Sequence, residues 1–300
     1  MGLIVGCCGT GGLGLEKYLS LFTSMEVQDT FYRKVKTSTL KKWRERAGED
    51  FVFTIKAFQG ITHPASSPTW KRSNWKPDPP QKYGLLKPTK ENLDLWGEVL
   101  EWADVIKAKA ILVQLPPSFN NTEENRRNVF EFFSRREKFE IAIEFRHSSW
   151  FDEEIGKWMD SKGILQALDI FTQPKVSKRE RIYVRLHGKA RGYRYQYTNG
   201  ELIEVGERVK EGYVMFNNLA MIEDCLRFMK LLKGEKFDPF KVEERIEKGL
   251  MRLKFPITSE EIVRRYGYLR IDDSCLEDFL KGKKSTISSL EELRKALSTA

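Results

Sequence analysis

The chain has 300 residues, 40% of them hydrophobic, enough to bury a large core as one big domain or as one domain with an appendage. Lysine and arginine total 52 against 43 aspartate and glutamate, so the net charge of +9 favours anionic partners such as nucleic acid, phosphate esters or acidic sugars. Charge-rich surfaces also occur in proteins built for heat, so net charge alone does not choose among these. Four cysteines, two of them adjacent at Cys7 and Cys8, form neither a disulfide framework nor a CxxC zinc motif, and no apolar run approaches bilayer length. These features predict reduced thiols in a cytoplasmic protein with no membrane span.

In chain order, LIVGCC (3–8) reads as a strand, 14–23 as a helix, MEVQDTFY (25–32) as strand-like and 38–47 as a helix capped by Ser38. FVFTIK (51–56) is a third strand. After a long insertion come a helix over 91–107, the strand AILVQL (110–115), a helix over 122–137 and the strand EIAIEF (140–145). A helix over 152–162, the strands ILQALD (164–169) and YVRLH (183–187), a helix over 199–210, the strand YVMFN (213–217) and a helix over 221–232 complete the alternation. Eight strands with mostly helical connections predict a mixed α/β fold, a closed (β/α)8 TIM barrel over residues 1–232. The rival, an open doubly wound sheet, lacks support after the first strand, where GTGGLG (9–14) does not match GxGxxG and reads as a flexible first βα loop. Residues 233–300 change to charged, helix-favouring sequence and read as a small C-terminal helical appendage. Its helices are expected over 239–252, 258–267 and 288–298, capped by Thr258 and by Ser288 or Ser289.

The chain's three histidines, His63, His147 and His187, each follow a short β-like run. Parallel strands would gather them at one end of the sheet, where α/β folds bind ligands, together with Lys56, Glu144, Arg146, Asp169 and Arg185. A single histidine so placed is more often a hydrogen-bonded structural residue; three shift the balance toward a site. Glu144 and Arg146 share one strand face, as do Arg185 and His187. Either the first pair is a structural ion pair, or Glu144 is a tuned acid or base with Lys56, Arg146 and Arg185 holding an anion. On the enzyme reading, Glu144, His147, His187 and Asp169 are catalytic, and Lys56, His63, Arg146, Arg185 and Tyr193 contact substrate. Two loops add to this set. Residues 71–90 place Lys71, Arg72 and other cations among Trp70, Trp75 and Tyr83, and GKARGYRYQYTN (188–199) interleaves Lys189, Arg191 and Arg194 with tyrosines. Cations with aromatic faces suit an anionic polymer or a nucleotide, although alternating tyrosines also mark a segment that buries one face. No cofactor fingerprint, P-loop or nucleophile elbow occurs. The surplus of cations over acids near the histidines predicts a site without metal.

These motifs together are similar to a known set. MEVQDTFY (25–32), FTIKAFQGITHP (53–64), ILVQLPPSF (111–119), AIEFRHSSWF (142–151), YVRLHG (183–188), Tyr197 with Glu201–Leu202, and MFNN (215–218) resemble the YecE-like family of uncharacterised proteins, domain of unknown function 72. The resemblance spans roughly residues 1–230. It implies a TIM barrel, with Glu26, Lys56, Thr62, His63, Gln114, Glu144, Arg146, His147, Trp150, Arg185, His187, Gly188 and Asn217 on the family's motif positions. It implies no mechanism, since the family has no established catalytic residues, and the chain departs from the pattern at Gln28, in the basic loop and in the C-terminal lobe. Two functions remain open: an enzyme that hydrolyses a phosphate-bearing or other anionic substrate by acid–base chemistry, or a nucleic-acid-binding protein, such as one of DNA repair, that uses a basic aromatic groove.

Overall fold

A computed structural model describes residues 2–189, 192–282 and 285–298. Its chain divides into two compact units. The first comprises Met1–Thr10, Gly14–Arg185 and Val209–Met215, and the second Gly11–Leu13, Leu186–Arg208 and Phe216–Ala300.

Eight parallel strands close into a barrel in sequence order: β1 (Leu3–Cys8), β2 (Ser24–Val27), β3 (Val52–Lys56), β4 (Ala110–Gln114), β5 (Glu140–Glu144), β6 (Leu165–Leu168), β7 (Arg181–Leu186) and β8 (Glu211–Phe216). The expected TIM barrel is therefore present. Continuous apolar runs form these strands because both faces of each are covered, by helices outside and by the barrel filling inside. The side-chain period of two sorts each strand. Ile111, Val113, Ile141, Ile143 and Val184 face away from the barrel centre, in the opposite phase to Ala110, Leu112, Ala142, Leu165, Ala167, Tyr183, Tyr213 and Met215, which pack together in one cluster. Small alanines on β4, β5 and β6 make room for the rings of Tyr183 and Tyr213, which stack at 4.9 Å. The same phase carried to the strand ends leaves ionisable groups inside: Glu140 with Arg181 where β5 and β7 begin, and Glu26, Lys56, Glu144 and Arg185 where β2, β3, β5 and β7 finish.

Three of the expected helices are present, each with a side-chain cap. Thr89 caps Lys90–Val105, Thr122 caps Glu123–Phe132 and Asp152 caps Glu153–Lys162, each side chain accepting a backbone N–H three residues on. Other elements differ from the periodicity reading. β2 ends at Val27, and Asp29–Tyr32 turns into a short helix because the Thr30 hydroxyl donates to Val27 and to Lys56 backbone oxygens at 3.2 and 2.7 Å. Ser38 lies inside the helix Thr37–Ala47, whose cap position is Lys36. The helix expected to reach 137 stops at Phe132, where the charged stretch that follows offers no apolar face.

In the second unit, Met221–Leu232 and the helices Val242–Glu247, Ser259–Tyr266, Leu276–Leu280 and Leu290–Ser298 enclose an apolar cluster around Met251, Ile262, Leu276 and Leu293. Thr258 caps Ser259–Tyr266 as expected, and Ser289 accepts the Glu292 N–H. The helix Leu276–Leu280 and two ribbons, 257–258 with 286–287 and 270–271 with 274–275, are absent from the periodicity reading, since two-residue strands have no measurable period. Two ion pairs are buried there: Arg245 with Glu223 at 2.8 Å and Arg227 with Asp224 at 3.0 Å. Among the described residues no helix is long and apolar enough to cross a membrane.

Gly212 marks how tightly β7 and β8 approach. Its φ is +111°, and an added Cβ would lie 2.0 Å from the Ile182 carbonyl oxygen. Gly212→Ala is expected to destabilise by more than about 2 kcal/mol. Gly97→Ala, in the open interior of Lys90–Val105 with nothing within 4 Å, is expected to stabilise by about 0.5–1 kcal/mol. Urea denaturation of the two variants reads both signs.

Candidate functional site

At the carboxyl end of the barrel, β7 delivers Arg185 into a wholly buried position. Its guanidinium donates to Glu26 through Nη2 at 2.9 Å and Nε at 3.2 Å, and to Glu144 through Nη1 at 2.7 Å. Nη1 also reaches Gln114 Oε1 at 3.1 Å, and Nη2 lies 3.6 Å from the Cys8 sulfur. Arg146 extends the cluster outward, its Nε donating to Glu144 Oε1 at 2.7 Å and its Nη2 to Gln114 Oε1 at 3.1 Å. Below, Tyr183 donates its hydroxyl to Glu26 Oε2 at 2.7 Å and lies 2.7 Å from the Thr54 hydroxyl, while Gln28 donates to Glu26 Oε1. Six strands thus meet in one polar network, satisfied as a buried network must be.

Burial works against the charge of Arg185, but Glu26 and Glu144 hold its pKa well above the usual value. Burial and the adjacent Glu26 push the Cys8 thiol and the Tyr183 phenol well up, so both stay protonated. Lys56 differs. It is 4% exposed, with Nζ 3.6 Å from the centre of the Phe31 ring, and among the described residues no carboxylate stands within ion-pairing distance of it. Burial, aided by the Arg185 charge and opposed by Glu144 and Glu26, lowers its amine to about 7. Beside it His63 is buried against the edge of Phe31 at 5.0 Å, its Nδ1 2.8 Å from the Thr62 hydroxyl. Burial and the charges of Lys56 and Arg146 depress its imidazole to about 3, so it is neutral. The ion cluster of Lys56, Arg146, Arg185, Glu26 and Glu144 therefore carries net charge +1 when Lys56 is protonated and 0 when it is not.

Of the residues expected to share a site, Lys56, His63, Gln114, Glu144, Arg146 and Arg185 come together here. Several roles change. Arg185 cannot hold a ligand anion, because its nitrogens are committed to two carboxylates and a glutamine inside the barrel. Both Glu144 oxygens accept guanidinium N–H bonds, which suits a carboxylate that orders arginines better than one that takes a proton from substrate. His147 caps the short turn Ser148–Trp150, its Nδ1 accepting the Ser149 N–H. Trp150 is a core residue and not a substrate contact: it is fully buried, stacked between Phe145 and Phe119 at 4.3 and 5.4 Å, with its indole N–H on the Phe119 carbonyl. Asp169 is buried, and its Oδ1 accepts the Phe171 N–H in the turn after β6.

The basic loop folds its rings inward. Trp75 meets Phe58, Trp70 and Tyr83 edgewise or tilted at 5.1–5.9 Å, and the Lys34 amine covers it at 5.0 Å. Arg72 lies 3.7 Å from the Tyr32 ring centre, while Lys71 is exposed without an aromatic neighbour of that kind. This loop does not offer the row of open stacking faces that its composition suggested. His187, Tyr193 and Asn217 belong to the second unit, where His187 meets the edge of Tyr193 at 5.8 Å. Arg191 lies outside the described residues. The periodicity reading left Glu26, Cys8, Thr54 and Tyr183 out of the site, although one signal was available: a glutamate in the middle of an apolar strand, in the inward phase set by its neighbours. Among the described residues no three His, Cys, Asp or Glu side chains are grouped to hold a metal ion.

The sequence profile of the family described as a protein of unknown function, DUF72, matches residues 9–246. The chain belongs to the DUF72 family. UPF0759 protein YunF of Bacillus subtilis (strain 168) is 23% identical over 241 residues, covering 68% of this chain and 80% of YunF. Two crystal structures of DUF72 proteins have the same fold. The one from Enterococcus faecalis V583 aligns with a TM-score of 0.57 at 21% identity, over 77% of this chain and 97% of its own. The one from Thermotoga maritima MSB8 aligns with a TM-score of 0.56 at 24% identity, over 77% and 99%. At such identities the likeness concerns the barrel and leaves the chemistry of this DUF72 protein to its own residues.

The buried network makes a measurable demand. Removing one partner of a buried ion pair strands the other charge, a loss of about 3–5 kcal/mol. Glu144→Gln and Arg185→Met are each expected to fall in that range, and Glu144→Gln to cost far less when Arg185 is already Met. Denaturant unfolding of the singles and the double should yield a coupling of at least about 2 kcal/mol, and additive losses would disconnect the two residues.

Proposed function

We propose that this DUF72 barrel is an enzyme that acts on a small phosphate-bearing or carboxylate-bearing substrate by acid–base chemistry, hydrolysis being the first reaction to test. One observation carries the reading: a buried lysine at a barrel strand end, in a position where barrel enzymes keep their catalytic groups, with an amine that titrates near neutral pH. Lys56 is the proton-transferring group, neutral as base above about 7 and cationic below it. Arg146, a quarter exposed at the outer edge of the cluster, contacts the anion. Glu144, Glu26 and Arg185 position these two and set their electrostatics. His63, neutral and buried, contributes shape and a hydrogen-bonding nitrogen. The inward packing of Trp70, Trp75 and Tyr83 favours a small ligand over a nucleic-acid strand, which binds through open aromatic faces.

Lys56→Met tests this in two ways. In a screen of phosphomonoesters and small carboxylate esters, any turnover of the natural protein should show a rising limb near pH 7, and the variant should lose it by a factor of about 100 or more. Equal rates in the two proteins would end the proposal. Stability supplies the second reading. Because the folded-state pKa is depressed, the unfolded chain binds more protons between about 7 and the ordinary 10.5, so the cost of burying Lys56 is full below 7 and fades as pH rises through that window. Lys56→Met should therefore be more stable than the natural protein at pH 6, on the order of 2–4 kcal/mol, with the difference shrinking toward pH 10.5.

A further inference from the structure

In the second unit, Arg194, Tyr195 and Gln196 of the tyrosine-rich segment line a pocket of about 230 Å³ with Tyr268, Arg270, Cys275 and Asp278. Two features of this pocket are unusual. First, its guanidiniums are not ion-paired: among the described residues neither Arg194 nor Arg270 has a carboxylate within ion-pairing distance, although Asp278 shares the lining. Arg270 is held by backbone carbonyls, Nε on Gln196 at 3.0 Å and Nη1 on Asp273 at 2.7 Å. Arg194 lies over the Tyr268 ring at 5.2 Å and touches the Val263 carbonyl only at 3.5 Å. The nearby Asp278 carboxylate instead accepts the Cys275 N–H at 2.9 Å.

Second, a buried donor has nothing to donate to. Gln196 is 1% exposed. Its Oε1 accepts from the Arg270 N–H and from Arg245 Nη2 at 3.4 Å, which fixes the amide orientation and leaves Nε2 without a partner. An unmet buried N–H costs about 1–3 kcal/mol, a cost that a ligand acceptor would remove. Burial raises the Tyr268 phenol to about 12, so at neutral pH it too remains a donor.

Two arginines with no carboxylate in ion-pairing distance, beside a buried amide N–H that lacks an acceptor, outweigh the single Asp278 of the lining and suit an oxyanion. We propose that this pocket is a binding site for a phosphate or carboxylate group of a small ligand, held by Arg194, Arg270 and the Gln196 amide. The volume lies below the roughly 300–1,000 Å³ of sites for drug-sized ligands, which limits the occupant to the oxyanion and a few further atoms. The inference is independent of the barrel chemistry, since all of these residues belong to the second unit.

The test is a titration of the full chain with inorganic phosphate and, separately, with acetate at constant ionic strength, followed by calorimetry. It is run in an Arg146→Gln background to remove the barrel's own anion contact. Saturable binding that Arg194→Gln weakens about tenfold or more, the size of a lost charge-assisted hydrogen bond, supports the site. Arg194 is exposed and bears little structural load, so this variant should fold, and an unchanged melting temperature confirms it. Phosphate binding more tightly than acetate identifies a phosphate site, and the reverse a carboxylate site. Saturable binding that is indifferent to Arg194→Gln, or no saturation by either anion, overturns the proposal. Anion binding that the natural protein shows and the Arg146→Gln background loses would leave the barrel reading intact while removing this one.

Discussion

Arg185 sits where a barrel interior ought to be apolar, and the carboxyl end of this barrel is built around that fact. A guanidinium without water is stable only if its charge and its donors are met, and Glu26, Glu144, Gln114 and Cys8 meet them from four other strands. Each of those strands must end in register for the bonds to form. Cys8 pairs with Glu26 across β1 and β2, and Gln114 with Glu144 across β4 and β5, so the ladder places the partners at one level. Such a network stabilises less than an apolar filling of the same volume would, but it fixes the relative heights of five strands and the positions of the side chains that reach outward from them.

Lys56 inherits its chemistry from this arrangement. Had Glu26 or Glu144 been free to pair with it, the amine would have kept its charge. Both carboxylates are instead oriented toward arginines, and the lysine is left against an aromatic face, buried and close to Arg185. Burial and like charge then act in the same direction. A side chain that is ordinarily cationic at neutral pH becomes a group able to take up or release a proton there, and the net charge of the cluster follows it. The second unit uses the same material to another end. Its buried arginines, Arg245 with Glu223 and Arg227 with Asp224, are ion-paired and structural, while among the described residues neither Arg194 nor Arg270 has a carboxylate within ion-pairing distance.

Local sequence determined a good deal. Alternating apolar and amphipathic runs were sufficient for eight strands, their order and the closed barrel, because each strand is covered on both faces and each helix buries one stripe. The helix start at Thr258 was legible from cap chemistry, which depends on residues within four positions. The grouping of Lys56, Glu144, Arg146 and Arg185 followed from their position at strand ends and from the period of two, and Gln114 from the family resemblance. What each of them does was decided by tertiary structure. Whether a carboxylate serves as base or as counter-ion depends on which guanidinium faces it from another strand. Arg185 lies 41 residues from Glu144 and 159 from Glu26, and no pattern local to any of the three records the pairing. The burial that brings Lys56 to neutrality, the inward turn of Trp75 and the sealing of Trp150 between two phenylalanines are likewise properties of neighbours distant in the chain, since desolvation is a property of the assembled interior and not of any segment of it.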